Sequence, residues 1–250
     1  MHGRYPKRLE EGDVDNIESN QWLRTSGLKP ETEGLIIAAQ DQSLKTRYLR
    51  SKIIKDATDP NCRICGKFQE TIDHITSGCP QLAKTEYLHR HDKVGAYIHW
   101  NICKAYDIQV TDKWYQHQPE QVVDCETVTI IWDLPVQTDR EIKANRPDII
   151  VKHKGNKSCL LIDMSIPTDK NTSVKVMEKL SKYKDLEIEI ERMWGMKTTT
   201  IPVVIGALGV IKKGSNEYIR QIPGKIKIRE LQKTTLLGTA HILRKVLSIK

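Results

Sequence analysis

Cys62-Arg63-Ile64-Cys65, then His74, then Cys79: four metal-ligand side chains fall within eighteen residues in the spacing Cys-x2-Cys-x8-His-x4-Cys. No apolar pattern elsewhere in the chain dictates local geometry as tightly. Three thiolates and one imidazole are the complement of a tetrahedral structural zinc, with every position taken by protein. Gly66 and Gly78 stand beside ligands, where the backbone has to turn sharply around an ion. Metal binding of this kind contributes folding free energy directly, so loss of Cys62 is expected to unfold the segment. His89, His91 and His99 lie just downstream, and a rival ligand set uses one of them in place of His74. The other three cysteines, Cys103, Cys125 and Cys159, are scattered, which argues for a reducing compartment over a disulfide framework.

Around this knuckle the chain divides by its hydrophobic period. Residues 1–33 mix charge, Gly and Pro without period and are expected as an extended lead-in. From Gly34 the pattern turns helical, with Ile37, Leu44 and Tyr48 on one face and Lys45, Arg47, Arg50, Lys52 and Lys55 around the others. That basic face reads either as solvated or as a phosphate contact. Asp59-Pro60 ends the helix, and residues 81–107 resume one with Leu82, Tyr87, Val94, Ile98 and Ile102. Residues 34–118 therefore read as a helical linker region holding the knuckle.

Beyond Pro119 the period becomes that of strands: Val128 to Leu134, Asp148 to Lys152 and Cys159 to Ile166. One long helix, Thr172 to Trp194, capped by Asn171 or Thr172, leads to a buried strand from Thr200 to Val210. Helices over 215–222 and 226–248, with Leu231, Ile242, Leu243 and Val246, are expected to pack on the sheet. Residues 119–250 thus predict an α/β domain.

Two carboxylates stand out there. Asp148 opens one strand in Arg146-Pro147-Asp148, and Asp163 ends the apolar run Leu160-Leu161-Ile162, with fourteen residues between the two acids. Acids on adjacent strands suit a hard divalent cation such as magnesium, which polarises a phosphate and acidifies a water. Lys179 and Tyr183, four apart on the following helix, share a face. The lysine supplies charge to a developing oxyanion or orients the water, with Lys175 or Lys182 as substitutes. Each of these residues alone also reads as ordinary sheet-edge charge. A third acid is open among Asp133, Asp139 and Glu141. Removing either aspartate is expected to abolish catalysis while leaving the fold intact.

Taken together, Cys62 to Cys79, Arg146-Pro147-Asp148, Asp163 and Lys179-x3-Tyr183 resemble the C-terminal restriction-like endonuclease of site-selective non-LTR retrotransposons, a member of the PD-(D/E)xK nuclease class. The resemblance implies a mixed sheet flanked by helices, preceded by a small helical segment with a CCHC zinc knuckle. It implies structural zinc on Cys62, Cys65, His74 and Cys79, and catalytic magnesium on Asp148 and Asp163. The implied reaction nicks target DNA, leaving a 3′-hydroxyl that primes reverse transcription in the nucleus. Its partners would be target DNA, element RNA and the reverse transcriptase region. Two features depart from the class. Ser165 occupies the position two residues after Asp163 where a lysine is usual, so Lys179 must reach over from the helix; and no Tyr-x-Asp-Asp is present, so this chain is not itself a polymerase.

Charge agrees with a polyanionic partner. Lys and Arg number 40 against 32 Asp and Glu, a formal +8. The start, Met1-His2-Gly3-Arg4-Tyr5, has no apolar core of a signal peptide, and the longest apolar run, Ile201 to Ile211, is too short to span a bilayer, so no membrane role is expected. The competing reading is a nucleic-acid-binding module with a knuckle and basic helices that does not cut.

Overall fold

A computed structural model describes residues 4–57 and 59–249. Residues 1–3, the beginning of the expected lead-in, lie outside the described residues. Helices α1 (Arg4–Leu9), α2 (Asn16–Thr25), α3 (Pro30–Gln40) and the short α4 (Arg47–Leu49) come first, α4 running into a wide turn over Arg50–Ile54. After the cysteine-rich segment follow α5 (Pro80–Ala83) and the long α6 (Glu86–Ala105). The strands are β1 (Val122–Asp124), β2 (Val128–Trp132), β3 (Ile149–His153) and β4 (Ser158–Ser165). Helices α7 (Thr172–Lys182) and α8 (Lys184–Trp194) connect β4 to β5 (Lys197–Val204), and α9 (Ser215–Gln221) and α10 (Ile228–Leu247) close the chain. No helix among the described residues is long and apolar enough to cross a membrane.

The five strands form one mixed sheet in the order β1-β2-β3-β4-β5, antiparallel up to β4 and parallel between β4 and β5. A parallel pair needs a crossover, which α7 and α8 supply. Successive side chains of a strand point to opposite faces, and the cores follow that rule. Ile149, Val151, Ile162 and Met164 face a core with Val94, Ile98 and Ile102 of α6, whereas Ile150, Cys159 and Leu161 face one with Tyr183, Leu186 and Ile190. Helices therefore cover both faces. Gly95 is where α6 meets the sheet most closely: a Cβ there would lie 2.5 Å from the Trp132 ring and 2.6 Å from Met164.

A third core gathers Trp22, Leu28, Ile36, Cys62, Ile75, Cys79, Leu236, Leu243 and Val246. The last helix is thus shared. Ile228 and Leu231 meet the sheet's core, while the rest of α10 packs on the cysteine-rich segment, where the sequence pattern predicts the sheet. The boundary expected near residue 119 falls within a shared core, since α6 buries its apolar stripe on β2, β3 and β4.

Several sequence expectations are corrected. The lead-in is helical: Asp15 caps α2 by accepting from Glu18 N at 3.0 Å, Trp22 is fully buried, and Val14 bridges Lys212. Helices this short owe their stability to tertiary burial, which a periodicity search over a polar segment does not see. The helix placed from Gly34 begins at Pro30, whose fixed φ suits the first turn, and stops at Gln40 before the left-handed Gln42. It buries Ile36 and Ala39 and exposes Ile37, so Leu44 and Tyr48 do not continue its face. The helix expected from Thr172 to Trp194 is two helices that part at Tyr183, and Asn171 precedes it without a side-chain cap. The strand predicted from Thr200 to Val210 ends at Val204; a buried loop continues it, held by Ile205 N to Ser165 O at 3.1 Å and Gly206 N to Val210 O at 2.8 Å. The short edge strand β1 carries no signal in the sequence pattern.

Candidate functional site

Cys62, Cys65, His74 and Cys79 converge, their ligand atoms all within 4.8 Å of one another. Local backbone builds the cluster. Cys62 N donates to Phe68 O at 2.7 Å, Gly66 N donates to Cys62 O at 2.7 Å with Gly66 at φ +65°, and Ile64 N points at the Cys62 Sγ from 3.4 Å. That left-handed turn explains the glycine after Cys65. Cys65 Sγ lies 3.4 Å from His74 Nε2, and Tyr87 braces the far side, its hydroxyl accepting from Cys79 N at 3.1 Å and donating to Ile75 O at 2.7 Å. Burial pushes the Cys62 thiol up to about 11, aided by its sulfur neighbours. A bound cation reverses that direction by displacing the thiol protons. The Cys3His set, mostly buried and closed, could hold a metal such as zinc.

Beside it Glu70, fully buried, accepts from Arg63 Nε at 2.9 Å, Arg63 Nη2 at 2.7 Å, and the backbone N–H groups of Arg63 and Arg47 at 2.9 and 2.8 Å. Burial works to raise its pKa, but Arg63 and these donors outweigh it and hold the carboxyl below its usual range. Arg63 Nη1 also donates to Ile249 O at 2.5 Å, tying the knuckle to the end of α10.

The carboxylates come together at one end of the sheet. In the β3–β4 register Ile149 pairs Ile162 and Ile150 pairs Leu161, so one further step sets Asp148 opposite Asp163. Opposite residues of antiparallel strands share a face, with Cβ atoms about 5 Å apart. That face is the one covered by α7 and α8, which deliver Lys179 and Tyr183. Lys179 Nζ pairs with Asp163 Oδ2, the Tyr183 hydroxyl donates to Asp163 Oδ1 at 2.6 Å, and Lys182 Nζ stands 3.7 Å from the same oxygen. Burial, then the Asp163 charge, drives the Tyr183 pKa far up, so the phenol keeps its proton and stays a donor. Asp148 Oδ2 accepts from Met164 N at 2.5 Å and faces His91 Nε2 at 3.2 Å. Burial works to raise Asp148, but His91, the Met164 N–H and Lys179 hold it below the usual carboxylate range. Against its own burial, His91 is pushed up to about 10 by Asp148 and Asp92.

Two like charges directly opposite one another repel unless cations stand beside them. Here Lys179, Lys182 and His91 do so. Hard carboxylate oxygens of this kind suit magnesium as donors. Asp163 is 3% exposed, so its removal strands Lys179 in the interior; the expectation that Asp163→Ala leaves folding intact is corrected accordingly. Of the third-acid candidates, Asp133 pairs with Arg146 through two bonds of 2.8 Å, Asp139 pairs with Arg192, and Glu141 is exposed. Arginines thus engage the side chains of Asp133 and Asp139, although Asp133 N itself donates to Asp148 O at 2.9 Å. The rival zinc histidines are placed elsewhere: His89 borders a surface cavity, His91 meets Asp148, and His99 meets Cys103 and His117. His91 is a neighbour of the carboxylates that the sequence does not disclose, because no local spacing relates it to them. No protein-family model matches the chain and no curated protein matches its sequence.

Proposed function

We propose that the chain is a magnesium-dependent DNA endonuclease of the PD-(D/E)xK class, derived from a non-LTR retrotransposon polyprotein and acting in the nucleus beside a reverse transcriptase region and its element RNA. The observation that carries this reading is the placement of Asp148 opposite Asp163 with Lys179 from α7 on the second acid. Asp148 and Asp163 would hold the ion, which when bound polarises a phosphate oxygen and lowers the pKa of a water. Tyr183 holds Asp163 Oδ1 in place, and His91 and the Met164 N–H hold Asp148 Oδ2, so both acids are oriented before substrate arrives. Lys179 places a compact ammonium beside Asp163, where it orients the attacking water or offsets charge on the phosphate. Lys182, more exposed, is suited to a phosphate of the DNA backbone.

The test is nicking of supercoiled plasmid by the intact chain in zinc-containing buffer, with and without magnesium. Magnesium-dependent nicks whose 3′ ends a DNA polymerase extends are expected. A second reading is favoured by one observation: both oxygens of Asp163 already have protein partners, as in an inert ion pair. Salt-sensitive DNA binding by a folded chain that never nicks would select that reading, a zinc-knuckle binding module.

A further inference from the structure

Within α6, His99 and Cys103 are four residues apart and point from one face of the helix toward the sheet. Both are 1% exposed. His117, from the loop after a short helical turn at Trp114–Gln116, stacks over His99 with ring centroids 5.0 Å apart and sets its Nε2 2.8 Å from His99 Nδ1. Cys103 Sγ lies 3.5 Å from that same nitrogen. Among the described residues, this is one of two groups of three or more donors whose ligand atoms all lie within 4.8 Å. The other is the Cys3His knuckle. From this convergence we infer a second transition-metal site, of the class that takes zinc, with His99, Cys103 and His117 as its protein ligands.

Hydrogen bonding alone accounts poorly for the cluster. A neutral imidazole nitrogen either donates one proton or offers one lone pair, yet His99 Nδ1 is approached by both a nitrogen and a sulfur. The ring's other nitrogen, Nε2, is buried without a partner, so every polar contact His99 makes lies on the cluster side. Three donor atoms gathered within 4.8 Å of one another are what a cation satisfies. Two imidazoles and a thiolate are a borderline-soft set that suits zinc and disfavours magnesium or calcium. Three protein donors leave one tetrahedral position, open to water.

Such an ion would fasten the loop before the sheet onto α6, the helix that also carries His91 to Asp148. The site stands apart from the proposed magnesium site and from the knuckle in donors and position, so it survives or fails independently of the nuclease reading.

Metal content of the purified full chain, grown with zinc and measured by elemental analysis, tests it. Two zinc ions per chain are expected for wild type and one for His117→Ala, the fold-sparing variant because His117 is only partly buried and lies on a loop. Cobalt substituted for zinc adds a second readout: His117→Ala and Cys103→Ser should each remove part of the tetrahedral cobalt absorption, and Cys103→Ser part of the thiolate charge-transfer band. One zinc per chain in wild type, unchanged in a folded His117→Ala, would overturn the inference.

Discussion

The knuckle and the carboxylate site both gather charged donors, but they stand in opposite relation to the fold. Cys62, Cys65, His74 and Cys79 sit inside an apolar core that joins α2, α3 and α10, and closing them on a metal adds free energy to folding. Asp163, Lys179 and Tyr183 sit at the sheet's end, where taking an ion pair out of water costs about as much as its attraction returns. One region holds the molecule together. The other is held by it, and under the proposed function its charges serve the chemistry.

Breaking the first region should have the largest effect. Chelation, or Cys62→Ser with Cys79→Ser, removes a contribution on the order of 10 kcal/mol, comparable to the whole stability of a domain. Loss of helical circular dichroism and of the fluorescence of the buried Trp22 would follow; a protein that keeps both after its zinc is removed would show the knuckle to be dispensable. Next in size is Asp163→Ala, expected to cost about 3–5 kcal/mol in urea unfolding because Lys179 is left uncompensated. Replacing the group together, as Asp163→Leu, Lys179→Met and Tyr183→Phe, should recover most of that stability while remaining inactive. If the triple variant is as unstable as Asp163→Ala, the site is structural and the contrast collapses. Tyr183→Phe alone should lose about 1.5–3 kcal/mol, the worth of a hydrogen bond to a charged acceptor. Smallest is Lys182→Ala, about 0–1 kcal/mol in stability because its pair is solvent-screened, with a weaker salt dependence of DNA binding as its signature.

The same contrast explains what can be read from the chain. The knuckle's four ligands lie within eighteen residues, so residue type and spacing disclose both the cluster and its chemistry. Asp148, Asp163 and Lys179 are legible as types, by an acid at the edge of each apolar run and a lysine four residues before a tyrosine, but their meeting depends on strand register and on where α7 crosses. His91 and His117 carry no such signal, because each reaches its partners across tertiary contacts from a distant segment. The spacing of His99 and Cys103, four apart on an amphipathic helix, is the one local hint of the third cluster. The helices before residue 33 are hidden by their polar composition, since what stabilises them is the burial of Trp22 against the last helix and of Val14 at its bridge with Lys212.

The most direct measurement pairs plasmid nicking with thermal unfolding for wild type and Asp148→Asn. The carboxamide introduced by that substitution keeps an acceptor for Met164 N–H, and only one ring nitrogen of His91 loses its charge partner. The midpoint should therefore move by no more than a few degrees, about 1 kcal/mol of stability, while magnesium-dependent nicking disappears. Wild-type nicking by Asp148→Asn, or a loss of nicking that only tracks a large fall in the midpoint, would contradict the assignment of this end of the sheet to chemistry.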